Sequence, residues 1–196
     1  MKKLIIFSIT LSVLIFLQPT ANHLLAQDSK HVFGFGIGRV AYNDNIVYVN
    51  SSIGDDWFKY GQDVILNFSY AYKVYPYFRI GGFFEYERAT LENDIVKDIK
   101  GSKFDFGVHW LGEYPSTKLR LQLGGYFAFS VLSNELWDKS VKGISYGIMG
   151  GPCYSFGKID IALHVHAGMS PYFGDNDPED VDILAPKVLL KVFYTL

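Results

Sequence analysis

The sequence predicts an all-β fold, an eight-stranded antiparallel up-and-down transmembrane β-barrel. Three observations lead to this prediction. The N-terminal segment has the organisation of an export signal, and almost all of the remaining chain alternates apolar and polar residues with a period of two. The connections between the alternating segments are tight and long in turn. No later segment approaches about 18 consecutive apolar residues, which excludes a membrane protein built of helices.

Residues 1–26 have the features of a cleaved secretory signal peptide. Two lysines precede an apolar run over residues 4–17, which is too short to span a membrane as a helix. The small side chain of Ala26 fits cleavage directly after it. We therefore expect residues 27–196 to form one barrel domain, and an uncleaved N-terminal anchor is the alternative. The segment holds two of the 18 basic side chains and none of the 20 acidic ones, so the mature part has a net charge of −4. This charge speaks against nucleic acid as a partner.

Eight segments show the alternation, each of about 9–13 residues, which is the length that a tilted strand needs to cross a bilayer. Their first outward apolar residues are Phe33, Val64, Phe78, Phe104, Leu119, Ile144, Ile159 and Val188. Tight connections are expected near 74–77, 115–118 and 156–158, and long ones near 42–62, 89–102, 133–143 and 170–184. An even number of strands with short and long connections in turn is typical of outer-membrane barrels.

The size of the side chains on the two faces decides which face points outward. One face of every segment carries phenylalanine, leucine, isoleucine or tyrosine, and the other carries glycine, alanine and serine among the charged residues. The interior of an eight-stranded barrel is too narrow for so many large side chains. The apolar face must then meet lipid, whereas a soluble lipocalin-like barrel, the alternative, would turn it inward. The lone cysteine, Cys153, is predicted to face inward, and it cannot form an intrachain disulfide.

Aromatic residues and glycines mark the ends and the curvature of the predicted strands. Outward aromatic residues form a band at each end, as expected at membrane interfaces: Phe33, Tyr72, Phe78, Tyr114, Tyr154 and Tyr194 at one end, and Tyr86, Phe104, Phe129 and Tyr146 at the other. Four inward glycines recur at nearly equal spacing: Gly38, Gly81, Gly124 and Gly168. Inward glycine allows the wall of a barrel to curve tightly.

Together these features resemble the small OmpA/OmpX-like outer-membrane barrels, a porin-family-like architecture of the bacterial cell envelope. The resemblance implies contact with outer-membrane lipid and lipopolysaccharide, and N- and C-termini in the periplasm. It also implies a C-terminal strand that the barrel-assembly machinery reads, carried here by Val192, Tyr194 and Leu196. The family pattern ends in an aromatic residue, whereas this chain ends in Leu196.

The predicted interior contains most of the titratable side chains. Arg79, Glu113 and Arg120 are expected to form a cluster near the tight turns, because Glu113 and Arg120 flank one turn at matching distances. Glu85, Glu87 and Asp105 form an acidic group nearer the long loops, expected as a solvated rim, with a divalent cation site as the alternative. Asp160, Lys187 and Lys191 also face the lumen. Buried charges of this kind require pairing or water. A salt-bridged plug is the main interpretation, and a gated ion path is the alternative.

The predicted function is a non-enzymatic envelope protein. His109, His164 and His166 all face inward by parity, and His31 lies at the start of the first strand without a serine neighbour. The outward face therefore offers no histidine–serine–acid triad, and neither a cofactor nor a metal is expected. The barrel would support envelope integrity or present its loops to an extracellular or envelope protein. Two alternatives stay open: a subunit of a secretion or transport apparatus, and an enzyme that modifies lipid A.

Overall fold

The computed structural model describes residues 30–41, 45–51, 54–60, 64–92, 99–114, 118–135, 140–173, 180–184 and 186–196. The predicted signal peptide and its cleavage site lie outside these residues. The described residues form strands β1 (His31–Val40), β2 (Asn45–Ser51), β3 (Gly54–Tyr60), β4 (Ile65–Tyr75), β5 (Phe78–Glu92), β6 (Ile99–Tyr114), β7 (Leu119–Asn134), β8 (Val141–Phe156), β9 (Ile159–Phe173), β10 (Asp180–Ile183) and β11 (Lys187–Thr195). In this part of the chain, no helix is both long enough and apolar enough to span a membrane.

Eight of these strands close into an antiparallel barrel. Their order around the wall is β1, β4, β5, β6, β7, β8, β9, β11 and back to β1. The first and last strands pair along almost their whole length, from Val32 opposite Thr195 to Val40 opposite Lys187. The turn between β8 and β9 is tight, and Gly157 within it has a φ of 72°, a left-handed conformation that favours glycine. The predicted fold is confirmed.

Two of the predicted long connections contain strands instead, and this part of the prediction is wrong. The region 42–62 contains β2 and β3, and the region 170–184 contains β10. β10 and β11 pair with β9 in one continuous register, with Asp180 opposite Phe173 and Lys187 opposite His166. β10 also pairs with β2, and β2 with β3. These three strands therefore continue the barrel wall above β11, β1 and β4.

The other two long connections are shorter than predicted, because β5, β6, β7 and β8 extend into them. β6, β7 and β8 each contain 16 residues. At about 3.3 Å per residue and a tilt near 40°, such strands rise about 40 Å, whereas the apolar band of an outer-membrane barrel is about 25 Å tall. Above that band neither face meets lipid, so the sequence loses its alternation while the backbone pairing continues.

The outer face of the barrel is apolar and exposed. On all eight barrel strands, the described outward positions between the tight turns and the last aromatic residues carry no charged side chain. Five phenylalanines lie directly opposite one another on consecutive strands: Phe35, Phe68, Phe84, Phe106 and Phe129. Adjacent ring centroids among the first four are 5.1 Å, 6.5 Å and 5.0 Å apart. Lipid is the solvent that accommodates such a surface.

The four regularly spaced glycines lie where a neighbouring backbone comes close to the inner wall. A Cβ atom built on Gly81 would collide with the Tyr70 carbonyl oxygen and with Ala71. A Cβ atom on Gly124 would collide with the Trp110 carbonyl oxygen. The outward Gly82 differs, because the nearest atom to a Cβ built on it is 3.6 Å away. Glycine at these inward positions therefore leaves room for the neighbouring backbone.

The adjacent residues Gly81 and Gly82 allow an inward glycine to be compared with an outward one. We expect Gly81→Ala to lower the free energy of unfolding by about 1–3 kcal/mol, because the new methyl group overlaps backbone atoms that cannot move aside. Gly82→Ala, the matched control, should change it by less than about 0.5 kcal/mol. Guanidinium unfolding of the refolded variants in lipid vesicles measures both. Equal effects of the two substitutions would contradict this account of the wall.

Candidate functional site

The candidate site is the charged interior of the barrel. One end of the barrel, here called the turn end, holds the tight turns at 76–77 and 157–158, the N-terminal end of β1 and the C-terminal end of β11. The other, the loop end, holds β2, β3 and β10. Most of the charged side chains that parity placed inside are buried in the lumen, Arg120 is partly buried there, and Cys153 is buried as well. They form two clusters separated by a layer of rings.

The turn-end cluster consists of Arg79, Glu113, Arg120 and Asp160. Arg120 lies between the two carboxylates, with Nη1 2.8 Å from Glu113 Oε2 and Nη2 2.5 Å from Asp160 Oδ1. Arg79 Nη1 lies 3.8 Å from Glu113 Oε1. These residues come from β5, β6, β7 and β9, so the cluster ties together half of the barrel strands.

Three further contacts hold this cluster in place. Gln122 Nε2 donates a hydrogen bond of 2.9 Å to Glu113 Oε1, and Gln122 Oε1 lies 2.6 Å from His164 Nε2. The guanidinium of Arg79 lies over the ring of Phe193, 4.1 Å from its centroid. A cation stacked on an aromatic face away from water is stabilised by the ring quadrupole. Glu113 therefore has polar partners on two sides, as a buried carboxylate requires.

The loop-end cluster is centred on Lys187. Its Nζ donates to Glu85 Oε1 at 2.8 Å, lies 2.6 Å from Glu87 Oε2 and is 3.9 Å from Asp105 Oδ2. Lys103 Nζ lies 3.2 Å from Asp105 Oδ2 and donates to Ser170 Oγ at 3.0 Å. All five charged side chains are almost completely buried.

Hydroxyl and amide groups complete this second cluster. Ser130 Oγ donates to Asp105 Oδ1 and lies 2.7 Å from the Tyr172 hydroxyl. Ser145 Oγ lies 2.6 Å from Ser170 Oγ, and Asn67 Nδ2 donates to Glu85 Oε2 at 2.8 Å. The network links β4, β5, β6, β7, β8, β9 and β11 across the lumen.

The predicted solvated acidic rim is wrong. Glu85, Glu87 and Asp105 are 3%, 1% and 2% exposed, and the Lys187 ammonium lies between them. The physical reason is the height of the wall, which continues past these residues through β2, β3 and β10 and shields them from bulk water. Among the residues that the structure describes, no group of three histidine, cysteine or acidic side chains is arranged to hold a metal ion.

A layer of rings lies between the two clusters. Tyr126 lies 6.1 Å from Phe83 and 5.6 Å from His166, measured between ring centroids. His109 is 6.1 Å from Phe83, and His164 is 6.2 Å from His166. Lys191 is buried in this part of the barrel and forms no ion pair with another described residue. These rings occupy the part of the lumen between the two clusters.

The loop end above the second cluster is apolar inside. Its buried side chains are at most 5% exposed: Ile99, Leu132, Val141, Val181 and Ile183. Val181 and Ile183 come from β10, one of the strands that the sequence did not predict. A charged network below an apolar layer has no continuous polar path to the loop end through these residues. Permanent ion flow through the lumen requires such a path.

The formal charges of the interior are balanced. The two clusters contain the cations Arg79, Lys103, Arg120 and Lys187 and five carboxylates, and Lys191 between them supplies a fifth cation. Lys73, also turned inward, is only half-buried at the turn-end mouth. Lys103 was missed from the sequence because the predicted strand began at Phe104. Its odd position on β6, shared with the inward Asp105 and His109, is the signal that could have assigned it to the lumen.

The proposed assembly strand keeps its predicted parity. Val192, Tyr194 and Leu196 are 42%, 43% and 50% exposed on the outer face, while Lys191 and Phe193 point inward and are buried. The strand pairs with both β1 and β9, so it closes the barrel.

Comparison with known proteins gives the fold and nothing finer. No protein-family model and no curated protein matches the sequence. Neisserial surface protein A (NspA) matches with a TM-score of 0.53 at 13% identity, over 85% of this chain and 96% of NspA. The chain has the fold of the small OmpA/OmpX-like outer-membrane barrels. Ail, the attachment invasion locus protein of Yersinia pestis, matches at 13% identity with a TM-score of 0.45, over 87% of this chain and all of Ail. The outer-membrane protease OmpT from Escherichia coli matches at 8% identity with the same score, over 86% and 94% of the two chains.

The loop-end cluster of this barrel offers a direct test of charge pairing. We expect Lys187→Met to lower the free energy of unfolding by about 3–5 kcal/mol, because it leaves buried carboxylates without their cation. Lys142→Met, which removes an exposed lysine of β8, should change it by less than about 0.5 kcal/mol. Guanidinium unfolding in lipid vesicles measures the difference.

A second substitution, at Glu87, shows whether the stability lost in Lys187→Met comes from the missing charge or from altered packing. Glu87 has Lys187 as its ion-pair partner, so adding Glu87→Gln to Lys187→Met should recover part of the lost stability. If the double variant is as unstable as the sum of the two single variants, the loss comes from packing and the electrostatic account is wrong.

Proposed function

We propose that the protein is a closed, non-enzymatic barrel of the bacterial outer membrane that stabilises the cell envelope. The observation that carries this proposal is the interior, which combines two ion-paired clusters of balanced charge with an apolar layer at the loop end. Charges paired across the lumen link opposite walls of the barrel. Such an arrangement suits a rigid membrane-embedded element better than a diffusion channel.

The proposed orientation places both termini and the tight turns in the periplasm and the loop end outside the cell. Short connections are typical of the periplasmic side of outer-membrane barrels, and longer ones of the external side. β11, with Val192, Tyr194 and Leu196, is then the strand presented to the barrel-assembly machinery. The partners are outer-membrane lipid and lipopolysaccharide, and no nucleic acid.

The distribution of histidines supports a role without catalysis. His109, His164 and His166 are buried inside the barrel, where a lipid substrate on the outer face cannot reach them. His31 is exposed at the turn end, and its Nδ1 lies 2.8 Å from the Tyr70 hydroxyl. Its described neighbours include the rings of Tyr70 and Tyr72, but neither ring supplies the serine or carboxylate of a hydrolytic triad.

The height of the wall favours a second role, contact with another protein through the loop end. β2, β3 and β10 continue the wall beyond the apolar band, so they would present a paired, ordered surface outside the membrane. A partner of the extracellular medium or of the envelope could dock there. This role adds to the envelope function and uses a different part of the molecule.

Bilayer recordings test the closed lumen. The refolded full chain should keep a faster electrophoretic mobility until it is boiled, and in planar bilayers it should give no stable conductance steps. A general diffusion porin reconstituted in parallel is the positive control. Stable steps from protein that still shows the heat-dependent mobility shift would refute a closed barrel.

A deletion strain tests the role in the envelope and separates it from loop contact. Deletion should raise sensitivity to detergents, measured by survival. Both the full chain and a variant in which a short turn replaces residues 45–60 should restore resistance, because the barrel below is unchanged. Unaltered survival of the deletion strain would count against the envelope role. Failure of the shortened variant alone, with its barrel folded, would assign the role to the loop end.

A further inference from the structure

Cationic side chains lie on the outer face of the barrel at its loop end. Directly above the last apolar outward residue, β1 carries Arg39, β5 carries Arg88 and β8 carries Lys142, and β6 carries Lys100 one outward position above Ser102. All four are exposed, and none forms an ion pair with another described residue. This pattern contrasts with the net negative charge of the mature chain.

Two of these cations, Arg88 and Lys100, line one cleft on the outside of β5, β6 and β7 together with Ser102 and Ser133. Arg88 lies opposite Ser102, and Ser102 lies opposite Ser133. Lys100 is the diagonal neighbour of Arg88, at the spacing that long side chains on adjacent strands can bridge. The cleft has a volume of about 310 Å³ and is also lined by Gly101 and Glu135. It therefore presents two cations and two hydroxyl groups to one external volume.

The position of the cleft relative to the membrane identifies its environment. Tyr86 and Phe104, one outward position below Arg88 and Ser102, lie opposite each other with their ring centroids 5.1 Å apart. The Tyr86 hydroxyl lies 3.5 Å from Ser102 Oγ. Aromatic side chains of this kind lie at the level of the lipid headgroups. The cations directly above them are then at the height of the charged groups of the outer leaflet.

We propose that this cationic rim binds the phosphate groups of lipopolysaccharide, with Arg88, Lys100, Ser102 and Ser133 as the binding residues. The proposal rests on the location in the outer membrane given above. Arginine, lysine and hydroxyl side chains are the groups that recognise phosphate. The acyl chains of the same molecule would lie against the apolar wall below, and Lys142 on β8, opposite Val131, extends the cationic surface.

Glu135 is the exception in the cleft and provides a test of opposite sign. Its carboxylate reduces the charge of the cleft to +1, and its backbone amide donates to the Lys100 carbonyl oxygen at 3.1 Å. Glu135→Gln keeps that backbone bond and removes the repulsion between carboxylate and phosphate. This substitution should therefore strengthen binding, while loss of the cations weakens it.

Binding is measured with the full chain refolded in zwitterionic micelles, with rough-type lipopolysaccharide as the probe in isothermal titration. Arg88→Ser combined with Lys100→Ser should weaken the Kd about tenfold. Glu135→Gln should tighten it about threefold. The matched control, Lys118→Ser with Lys158→Ser, removes two exposed lysines at the turn end and should change the Kd less than twofold. Lipopolysaccharide stripped of its phosphates should bind the wild type about as weakly as the rim variant binds the intact probe.

Several results would overturn the proposal. Unchanged affinity of the rim variant, or an equal loss in the turn-end control, would remove the assignment to these residues. Equal binding of dephosphorylated lipopolysaccharide would remove phosphate as the recognised group. If phosphatidylglycerol binds as tightly as lipopolysaccharide, and the rim variant loses this binding too, the ligand is phospholipid rather than lipopolysaccharide. Failure of the envelope function is recognised separately, because heat-dependent mobility, conductance and survival of the deletion strain do not depend on the rim cations.

Discussion

The narrow interior of an eight-stranded barrel is the constraint on which the rest of this structure depends. It admits small residues, a few rings and paired charges, and it forces the large apolar side chains outward. The row from Phe35 to Phe129 on the outer face and the close approach of backbones at Gly81 and Gly124 are two consequences of the same geometry. The outer surface then requires lipid as its solvent, and the inner surface requires a cation for each carboxylate.

The interior shows how those charges become compatible with burial. Glu113 accepts hydrogen bonds from Arg120 and Gln122, and Lys187 lies among three carboxylates. Removing one member would leave its partners charged and desolvated, so each cluster depends on all of its members. The clusters also join strands that are distant along the chain. Lys187 and Glu85, for example, are 102 residues apart in the sequence. The plug and the closure of the barrel therefore support each other.

Much of this architecture was predictable from the sequence. The period of two assigned Arg79, Glu113 and Arg120 to the lumen and Tyr194 to the lipid face, because parity along a strand is a local property. The strands β2, β3 and β10 were not predictable in the same way. β2 and β3 show no clear alternation, and β10, although its residues alternate from Asp180 to Ile183, is only four residues long. The burial of Glu87 followed from those strands and was therefore missed as well.

The sequence by itself determined the number of barrel strands, the face that each residue presents and the side chains that must share the lumen, because lipid and a narrow interior impose opposite demands on alternate positions. Only the tertiary structure decided which charges pair, since pairing depends on the register and on the strand across the lumen. It placed Asp160 beside Arg120 and Lys187 among Glu85, Glu87 and Asp105. It also brought Arg88, Lys100 and two serines from three strands into one cleft, a proximity that no local pattern records.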